Sequence, residues 1–387
     1  MIVKTATRIQ QVEEYYFSAK LRQIREMNRR GAQVLNLGIG SPDLEPDGGV
    51  LEVLQREGVR EGNHAYQSYR GIDELRLAFA KWYERYFGVS LNPEGEVLPL
   101  LGSKEGLMHI AMSFLEEGDE ALVPNPGYPA YAAVTRLAGA KPLFYELSEE
   151  RGWWPDLQAL EREDLSRVKV MWLNYPHMPT GAAAAVSLFE ELVAFAERHQ
   201  MLLVNDNPYA FILNEPLSLL SVPRAKGVAV ELNSLSKSHN MAGWRIGMLA
   251  GAAPYLDAVL RFKSNMDSGM FKPLQLAAAE ALALKDDWYQ RQNAIYAARR
   301  EKVYELLDCL GCHYDRNAGG LFVWARVPDA YSSAYALSDE LLEKARVFIT
   351  PGGIFGSAGE RYVRVSLCQE EAVVAEALER LMWTLRV

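Results

Sequence analysis

Short apolar, β-branched segments alternate with helically periodic segments from about residue 45 to residue 285. The apolar segments are typical of buried strands, and those between them have helical spacing, as at 102–115 and 186–199. Because parallel strands need crossover connections, this alternation predicts an α/β fold with a largely parallel sheet. The strands are predicted at 121–123, 168–173, 201–204, 228–230 and 246–250.

The two ends of the chain are predicted to form a second, smaller α+β unit. A long charged helix at 285–310 is a suitable connector to it. The N-terminal segment has a helical pattern over about 7–30 and then a short strand at 34–37, but it is too short to fold alone. We therefore predict a large domain over 40–290 and a small domain built from 1–39 and 291–387. The strands of the C-terminal part are predicted at 321–325, 347–350 and 362–367.

The composition indicates which kinds of partner and which cellular location to expect. Lysine and arginine total 41 against 50 acidic residues, which gives a net charge of -9, and no basic block stands out. A nucleic-acid partner is therefore not expected. No apolar run approaches the ~18 residues that span a bilayer, and the first residues lack the apolar core of a secretory signal. We expect a cytoplasmic protein without a membrane partner.

The three cysteines, Cys309, Cys312 and Cys368, are odd in number. Cys309 and Cys312 form a lone CxxC pair without a second pair or a histidine cluster nearby. Buried free thiols are therefore predicted, and no metal site is expected.

Lys237 and Arg245 lie with several serines inside a stretch of thirteen residues, 233–245. The preceding run, 227–234, has a strand pattern, so Lys237 is predicted on the loop that leaves a strand, where ligand sites of open α/β sheets gather. A primary amine forms an imine with an aldehyde, while hydroxyls and a guanidinium suit a dianionic phosphate. This combination indicates an anchor for pyridoxal phosphate.

Asp206 directly follows the predicted strand 201–204, and Tyr209 comes three residues later. A carboxylate at the pyridine nitrogen of such a cofactor keeps the ring protonated, and a phenol donates to its 3-oxygen. Taken alone, a loop-capping aspartate and a core tyrosine are the simpler interpretation. Their order and spacing before Lys237 favour the functional one.

Three further positions allow both a structural and a functional interpretation. Ser103 and Lys104 follow a glycine turn and open a helix, whose first amides bind phosphate, although a plain N-cap at Ser103 explains the pattern equally well. Tyr128 follows another strand and is either a packing residue or a ring that stacks on the cofactor. Arg364 lies inside a strand and is either a clamp for a substrate carboxylate or part of an ion pair.

Taken together, these segments resemble the class I and II aminotransferases of the aspartate aminotransferase superfamily, which are fold type I pyridoxal phosphate enzymes. The resemblance extends from about residue 35 to residue 367 and is strongest from Ser234 to Gly247, which is similar to the family's lysine and phosphate-arginine signature. It implies a mostly parallel seven-stranded sheet flanked by helices, together with a smaller α+β domain.

The resemblance also implies a role for each residue around the pyridine ring. Lys237 forms the aldimine and moves a proton to and from the substrate's α-carbon, and Asp206 pairs with the ring nitrogen. Tyr209 donates to the 3-oxygen, and Tyr128 stacks on the ring. By the same resemblance, Gly40 and Arg364 occupy the positions that bind the substrate α-carboxylate.

The phosphate is expected to bind the amides of Ser103 and Lys104, the Ser234 hydroxyl and Arg245. Tyr66 is similar to the family tyrosine that reaches the neighbouring subunit's phosphate, which implies a homodimer with shared active sites.

Residues 174–181 depart from the family pattern. The family carries asparagine immediately before Pro-Thr-Gly, where its amide donates to the cofactor's 3-oxygen, whereas this chain has Met178. A thioether cannot donate that hydrogen bond. The loss is expected to raise the pKa of the cofactor imine unless His177 or Asn174 compensates.

The predicted function is an amino-acid:2-oxo-acid aminotransferase with a ping-pong mechanism. Its substrates would be an α-amino acid and a 2-oxo acid. One alternative is a β-lyase on the same fold. Another is a non-catalytic regulatory domain that binds pyridoxal phosphate, against which the retained lysine and the lack of a basic helix-turn-helix extension argue. Substrate identity stays open, with pocket residues sought at Tyr15, Tyr16, 66–70 and 265–268.

Overall fold

The computed structural model describes residues 2–12 and 16–384, and Tyr15 lies outside that part of the chain. The strands are β1 (Leu35–Asn36), β2 (Val97–Leu100), β3 (Glu120–Asn125), β4 (Lys141–Glu146), β5 (Val168–Leu173), β6 (Leu202–Asp206), β7 (Ala229–Ser234), β8 (Gly247–Gly251), β9 (His313–Tyr314), β10 (Phe322–Arg326), β11 (Val347–Phe348), β12 (Thr350–Pro351) and β13 (Tyr362–Ser366).

The α-helices are α1 (Thr7–Gln10), α2 (Tyr16–Arg29), α3 (Gly48–Gly58), α4 (Asp73–Phe87), α5 (Ser103–Phe114), α6 (Ala130–Leu137), α7 (Leu157–Leu160), α8 (Val186–His199), α9 (Leu235–Ser238), α10 (Ala253–Lys263), α11 (Lys272–Leu282), α12 (Asp286–Cys309), α13 (Ala334–Glu340) and α14 (Glu371–Thr384). Each helix in the described ranges is either too short or too polar to cross a membrane.

The large sheet has the strand order β2-β8-β7-β6-β5-β3-β4. β8 is antiparallel to both of its neighbours, and the remaining pairs are parallel. Alternate residues of β5 enter different core clusters, with Met171 and Leu173 in one and Val170 and Trp172 in the other, because successive side chains point to opposite faces. The predicted α/β class and the mostly parallel seven-stranded sheet are confirmed.

The sequence pattern did not predict β2 and β4, the two edge strands of this sheet. β2 contains Pro99, and β4 contains Pro142 and an exposed Phe144. Proline is tolerated at sheet edges, where a missing backbone donor costs little, but it interrupts the pattern of a buried strand. The central strands, which are buried on both faces, were predicted to within a few residues.

The N-terminal strand lies against the C-terminal part of the chain. β1 pairs in parallel with β11, so that Leu35 faces Val347, and β12-β13-β10-β9 form an antiparallel sheet. The helical pattern predicted over 7–30 is found as α1 and α2, on either side of residues that are not described. The domain boundaries at residues 40 and 290 stay a prediction, and α12 runs through the second of them.

The cysteine prediction was partly wrong. All three thiols are free, and Cys312 and Cys368 are buried, but Cys309 is exposed. Cys309 is the last residue of α12. The chain leaves the helix between the two cysteines, and the Cys309 thiol is exposed whereas the Cys312 thiol is buried.

An ion pair between a buried guanidinium and a more exposed carboxylate ties the N-terminal segment to α12. The Arg299 guanidinium donates to both carboxylate oxygens of Asp43 at 2.7 and 2.8 Å, and also to the Leu367 carbonyl at 3.1 Å. The Arg299 side chain is only 4% exposed. A buried guanidinium without its partner is energetically costly. The ion pair therefore holds the N-terminal segment in place at Asp43, three residues after the site residue Gly40.

We expect Asp43→Ala to lower the free energy of unfolding by about 3 kcal/mol, because it strands a buried charge. The matched control is Glu305→Ala, which removes the partner of Lys302 in an exposed pair on the same helix and should cost about 0–1 kcal/mol. Denaturant unfolding of both variants measures the difference. Equal losses for the two variants would contradict the contribution assigned to the Arg299–Asp43 pair.

Candidate active site

A cavity of about 450 Å³ opens at the carboxyl ends of the central parallel strands. Ten of the predicted site residues line it: Gly40, Ser103, Lys104, Tyr128, Asp206, Tyr209, Ser234, Lys237, Arg245 and Arg364. The remaining one, Tyr66, lies outside the cavity, and its side chain is 90% exposed. The structure therefore gathers residues that are as far apart in the chain as 40 and 364.

Lys237 lies in α9, a single helical turn that follows β7 directly, rather than on an irregular loop. Its Nζ donates to the Gly40 carbonyl at 2.5 Å. Burial lowers the pKa of the Lys237 amine, and the positive charges of Arg364 and Arg245 act in the same direction. A larger fraction of the amine is therefore neutral and able to act as a nucleophile or a base.

Asp206 ends β6 and is 5% exposed. Its Oδ2 accepts a hydrogen bond from the Tyr131 hydroxyl at 3.1 Å, while Oδ1 is buried with no hydrogen-bond partner among the described residues. Burial raises the pKa of Asp206 to about 7, and the Tyr131 hydrogen bond opposes that rise. A ligand that brings an N–H cation to Oδ1 would satisfy this atom and favour the carboxylate.

Two residues that support Asp206 were missed by the sequence analysis. Tyr131 stacks on Trp172 with ring centroids 5.7 Å apart and an interplanar angle of 7°, which fixes its hydroxyl. The Asn174 amide donates to the Asp206 carbonyl at 2.5 Å, and its oxygen accepts from the Met178 backbone at 2.8 Å. Only the position of Tyr131, three residues after Tyr128 at the start of α6, could have signalled its part in the site.

Hydroxyl and cationic side chains that suit an anion also line the cavity and are named the anion-binding cluster: Ser103, Lys104, Ser234, Ser236 and Arg245. Ser103 and Lys104 are the first residues of α5, whose N-terminal amides and dipole favour a negative charge. The Ser103 Oγ is buried without a hydrogen-bond partner among the described residues. The Ser234 and Ser236 hydroxyls are 2.8 Å apart, and Arg245 Nη1 lies 3.5 Å from Ser236 Oγ.

Gly102 leaves the space that this cluster needs. Its φ is +89°, and a Cβ atom added there would lie 2.3 Å from Arg245 Nη2. Any other residue would combine backbone strain with displacement of the guanidinium. Gly102 therefore leaves room for the Arg245 guanidinium, which a plain N-cap at Ser103 would not require.

Arg364 occupies the middle of β13 and is 4% exposed. Its Nη2 donates to the Gly38 carbonyl at 2.9 Å, and its Nη1 lies 3.3 Å from the Met178 sulfur. The guanidinium carbon lies 3.8 Å from the ring centroid of Phe322, 4.7 Å from that of Phe355 and 5.4 Å from that of Phe17. These rings hold the guanidinium in the cavity through cation–π contacts.

Met178 lines the cavity and is 5% exposed. The two residues named as possible replacements for the missing donor, His177 and Asn174, both have other hydrogen-bond partners. The Asn174 amide is bonded to Asp206, and His177 Nδ1 lies 2.8 Å from Thr180 Oγ1. Burial also lowers the pKa of His177 to about 3, so that its ring is neutral. His177 is absent from the cavity lining formed by the described residues.

Residues 32–381 match the family of class I and II aminotransferases. The chain therefore belongs to this family, and it is an aminotransferase.

Relatives and solved structures match over almost the whole chain. LL-diaminopimelate aminotransferases from Dehalococcoides mccartyi and Moorella thermoacetica are 41% and 39% identical over 382 residues, which is 98% of this chain and 98% of each relative. The apo structure of BacF from Bacillus subtilis is 36% identical, with a TM-score of 0.95 over 99% of both chains.

The raised pKa of Asp206 predicts a pH-dependent cost to the protein without a bound ligand. The folded state holds the Asp206 proton up to about pH 7, whereas the ordinary pKa of this carboxyl, which applies to the unfolded chain, is 3.8. Stability from this group is therefore fully present below about pH 4 and is lost as the pH rises toward 7. We expect Asp206→Asn to gain on the order of 4 kcal/mol of unfolding free energy relative to wild type between about pH 4 and pH 8.

Urea unfolding at a series of pH values measures this difference. The control is Asp164→Asn, because the pKa of this exposed carboxyl is shifted in the opposite direction by Ser166. A constant difference between wild type and Asp206→Asn across the pH range would mean that folding does not raise the pKa of Asp206.

Proposed function

We propose that pyridoxal phosphate binds in this cavity and that the enzyme uses it to transfer an amino group from an α-amino acid to a 2-oxo acid. One observation carries the proposal above the others. The buried Asp206 Oδ1 that lacks a partner among the described residues lines the same cavity as the Lys237 amine and the anion-binding cluster. A planar ligand with an N–H cation, an aldehyde and a phosphate matches these three features together.

The residues of the cavity suit each part of that ligand. Lys237 would carry the aldehyde carbon, Asp206 would pair with the ring nitrogen, and Tyr209 would donate to the 3-oxygen. Tyr128 would cover one face of the ring, and the anion-binding cluster would hold the phosphate. When bound, pyridoxal phosphate supplies an electron-withdrawing ring that stabilises negative charge on the substrate's α-carbon.

Lys237 and Arg364 divide the work on the substrate. Arg364, with the backbone of Gly40, orients the α-carboxylate, because its guanidinium is buried in the cavity and held by aromatic rings. The Lys237 Nζ takes the proton from the α-carbon as a general base and returns a proton in the opposite half-reaction with the oxo acid. Burial of Lys237 favours its neutral form, which this base role requires.

We propose that the enzyme works as a homodimer in which Tyr66 reaches the partner's phosphate site. Tyr66 lies among exposed apolar side chains on two adjacent loops, with Tyr69, Met266 and Phe271 between 45% and 50% exposed. Lys263, the last residue of α10, contacts both loops, because its Nζ donates to the Tyr69 carbonyl at 3.2 Å and lies 2.7 Å from the Asp267 carboxylate. Exposed apolar groups of this kind mark protein interfaces.

The free thiols support a reducing, cytoplasmic location.

The names of the relatives favour amino transfer over the β-lyase reaction that the same fold permits. Two of them are LL-diaminopimelate aminotransferases, so LL-diaminopimelate is one amino donor to test. Formation of a new amino acid from 2-oxoglutarate or pyruvate, without ammonia release, distinguishes transfer from elimination.

Lys237→Ala tests the proposal directly. With its attachment amine removed, the visible band of the bound cofactor should change to that of unattached pyridoxal phosphate, and amino transfer should fall by at least ~100-fold. Lys104→Ala is the control, because Lys104 also lines the cavity but should leave the attached band in place at saturating cofactor. An attached band that survives in Lys237→Ala would disprove the assigned role.

A further inference from the structure

We infer that the substrate part of the cavity selects α-amino acids with apolar side chains, aromatic ones included, over donors with a second carboxylate or ammonium group. This inference rests on the proposed function, because it takes Arg364 as the site of the α-carboxylate. It concerns the space beside Arg364 that remains for the substrate's side chain.

The walls next to Arg364 are apolar. Five apolar residues line the same cavity as Arg364 and are named the apolar wall: Phe17 and Leu21 of α2, Ile39, Phe322 and Phe355. Phe17, Phe322 and Phe355 are each less than 9% exposed and contact the guanidinium. A substrate whose carboxylate binds Arg364 therefore has its carbon atoms beside aromatic rings, which favours an apolar side chain.

The charged groups that line the cavity already have partners within the proposed site. Among the described residues they are Lys104, Lys237, Arg245, Arg364 and Asp206. Arg245 and Lys104 lie in the anion-binding cluster, and Asp206 would pair with the ring nitrogen of the bound cofactor. No carboxylate of the described cavity lining remains for a distal ammonium group, and no cation remains for a second carboxylate. A distal charge would lose its hydration without a partner, which weakens binding.

Met178 and Ser18 also line the cavity, and both side chains are uncharged. The Met178 sulfur lies beside Arg364, where an amide or charged side chain would offer a donor to the substrate. Ser18 lies at the exposed rim of the cavity and adds a neutral hydroxyl. Neither side chain compensates a formal charge on the substrate.

The loops on the proposed dimer face add no unpaired charge to a partner's cavity. In residues 66–70 the one charged side chain is Arg70, which pairs with Asp257 of its own chain. In residues 265–271 it is Asp267, whose carboxylate lies 2.7 Å from Lys263 Nζ. The exposed side chains that remain include Tyr66, Tyr69 and Met266. Contributions from a second copy would therefore enlarge an apolar pocket.

LL-diaminopimelate is a sharp contrast, because it carries an ammonium and a carboxylate at both ends. Its distal pair would face the apolar wall. We therefore do not infer that this enzyme has the substrate that its relatives' names state, although it belongs to the same family.

The test is a single-turnover assay with the purified, cofactor-loaded enzyme. Each amino donor is mixed with the enzyme, and the loss of the attached-cofactor band gives a second-order rate constant. L-Phenylalanine, L-tyrosine and L-methionine should react at least ~10-fold faster than LL-diaminopimelate, L-glutamate and L-aspartate. If LL-diaminopimelate or L-glutamate is the fastest donor, the substrate class is wrong while the aminotransferase function stands. If no donor changes the band, both proposals fail.

A second variant tests the location of the selectivity. Leu21→Arg places a guanidinium on the apolar wall, and Leu21 is half-buried on α2, where a long side chain can be accommodated. The ratio of the L-glutamate to the L-phenylalanine rate constant should rise at least ~10-fold. Because it is a ratio measured within one variant, a partial loss of folded enzyme cancels.

Gln23→Arg is the matched control, since it adds the same charge at an exposed position of the same helix. Its ratio should equal that of the wild type. If Leu21→Arg changes the ratio no more than Gln23→Arg does, α2 does not form the side-chain wall, and the inference is overturned.

Discussion

The site depends on the parallel pairing of β6 with β7. In this register Asp206 faces Leu232, so the last residue of β6 and the turn that follows β7 lie at the same edge of the sheet. A carboxylate and a primary amine are thereby held on rigid elements, facing one cavity from neighbouring strands. The anion-binding cluster is placed by the same sheet, because α5 follows β2, which pairs with β8, and β8 in turn pairs with β7.

This placement is costly for the protein without a ligand. Burial raises the pKa of Asp206 and lowers that of Lys237, so both groups are driven toward their neutral forms. A ligand that presents a positive N–H group to Asp206 and a reactive carbonyl to Lys237 would offset both effects. Among the described residues, the Asp206 Oδ1 atom and the Ser103 hydroxyl are buried in the cavity without hydrogen-bond partners. A ligand that supplies those partners removes this cost, and the gain contributes to its binding free energy.

The part of the site that the sequence predicted is local in the chain. Lys237 and Arg245 lie within one short stretch, and Asp206 directly follows a recognisable strand, so residue type and spacing identified them. Tyr131, Asn174 and Phe17 were missed, because their roles come from contacts with residues 75, 32 and 347 positions away. Tertiary packing alone decides which tyrosine supports Asp206 and which aromatic rings surround Arg364. The edge strands β2 and β4 were missed for a different reason, because Pro99 and Pro142 interrupt the pattern of a buried strand.

The most direct test of the account is to identify the lysine that carries the cofactor. Borohydride reduction of the enzyme loaded with pyridoxal phosphate fixes the cofactor to its lysine, and peptide mass spectrometry then locates it. We expect one modified position, Lys237, in the peptide that contains Ser234 and Ser236. Modification of Lys104 instead, or a Lys237 peptide that stays unmodified while cofactor is bound, would contradict it.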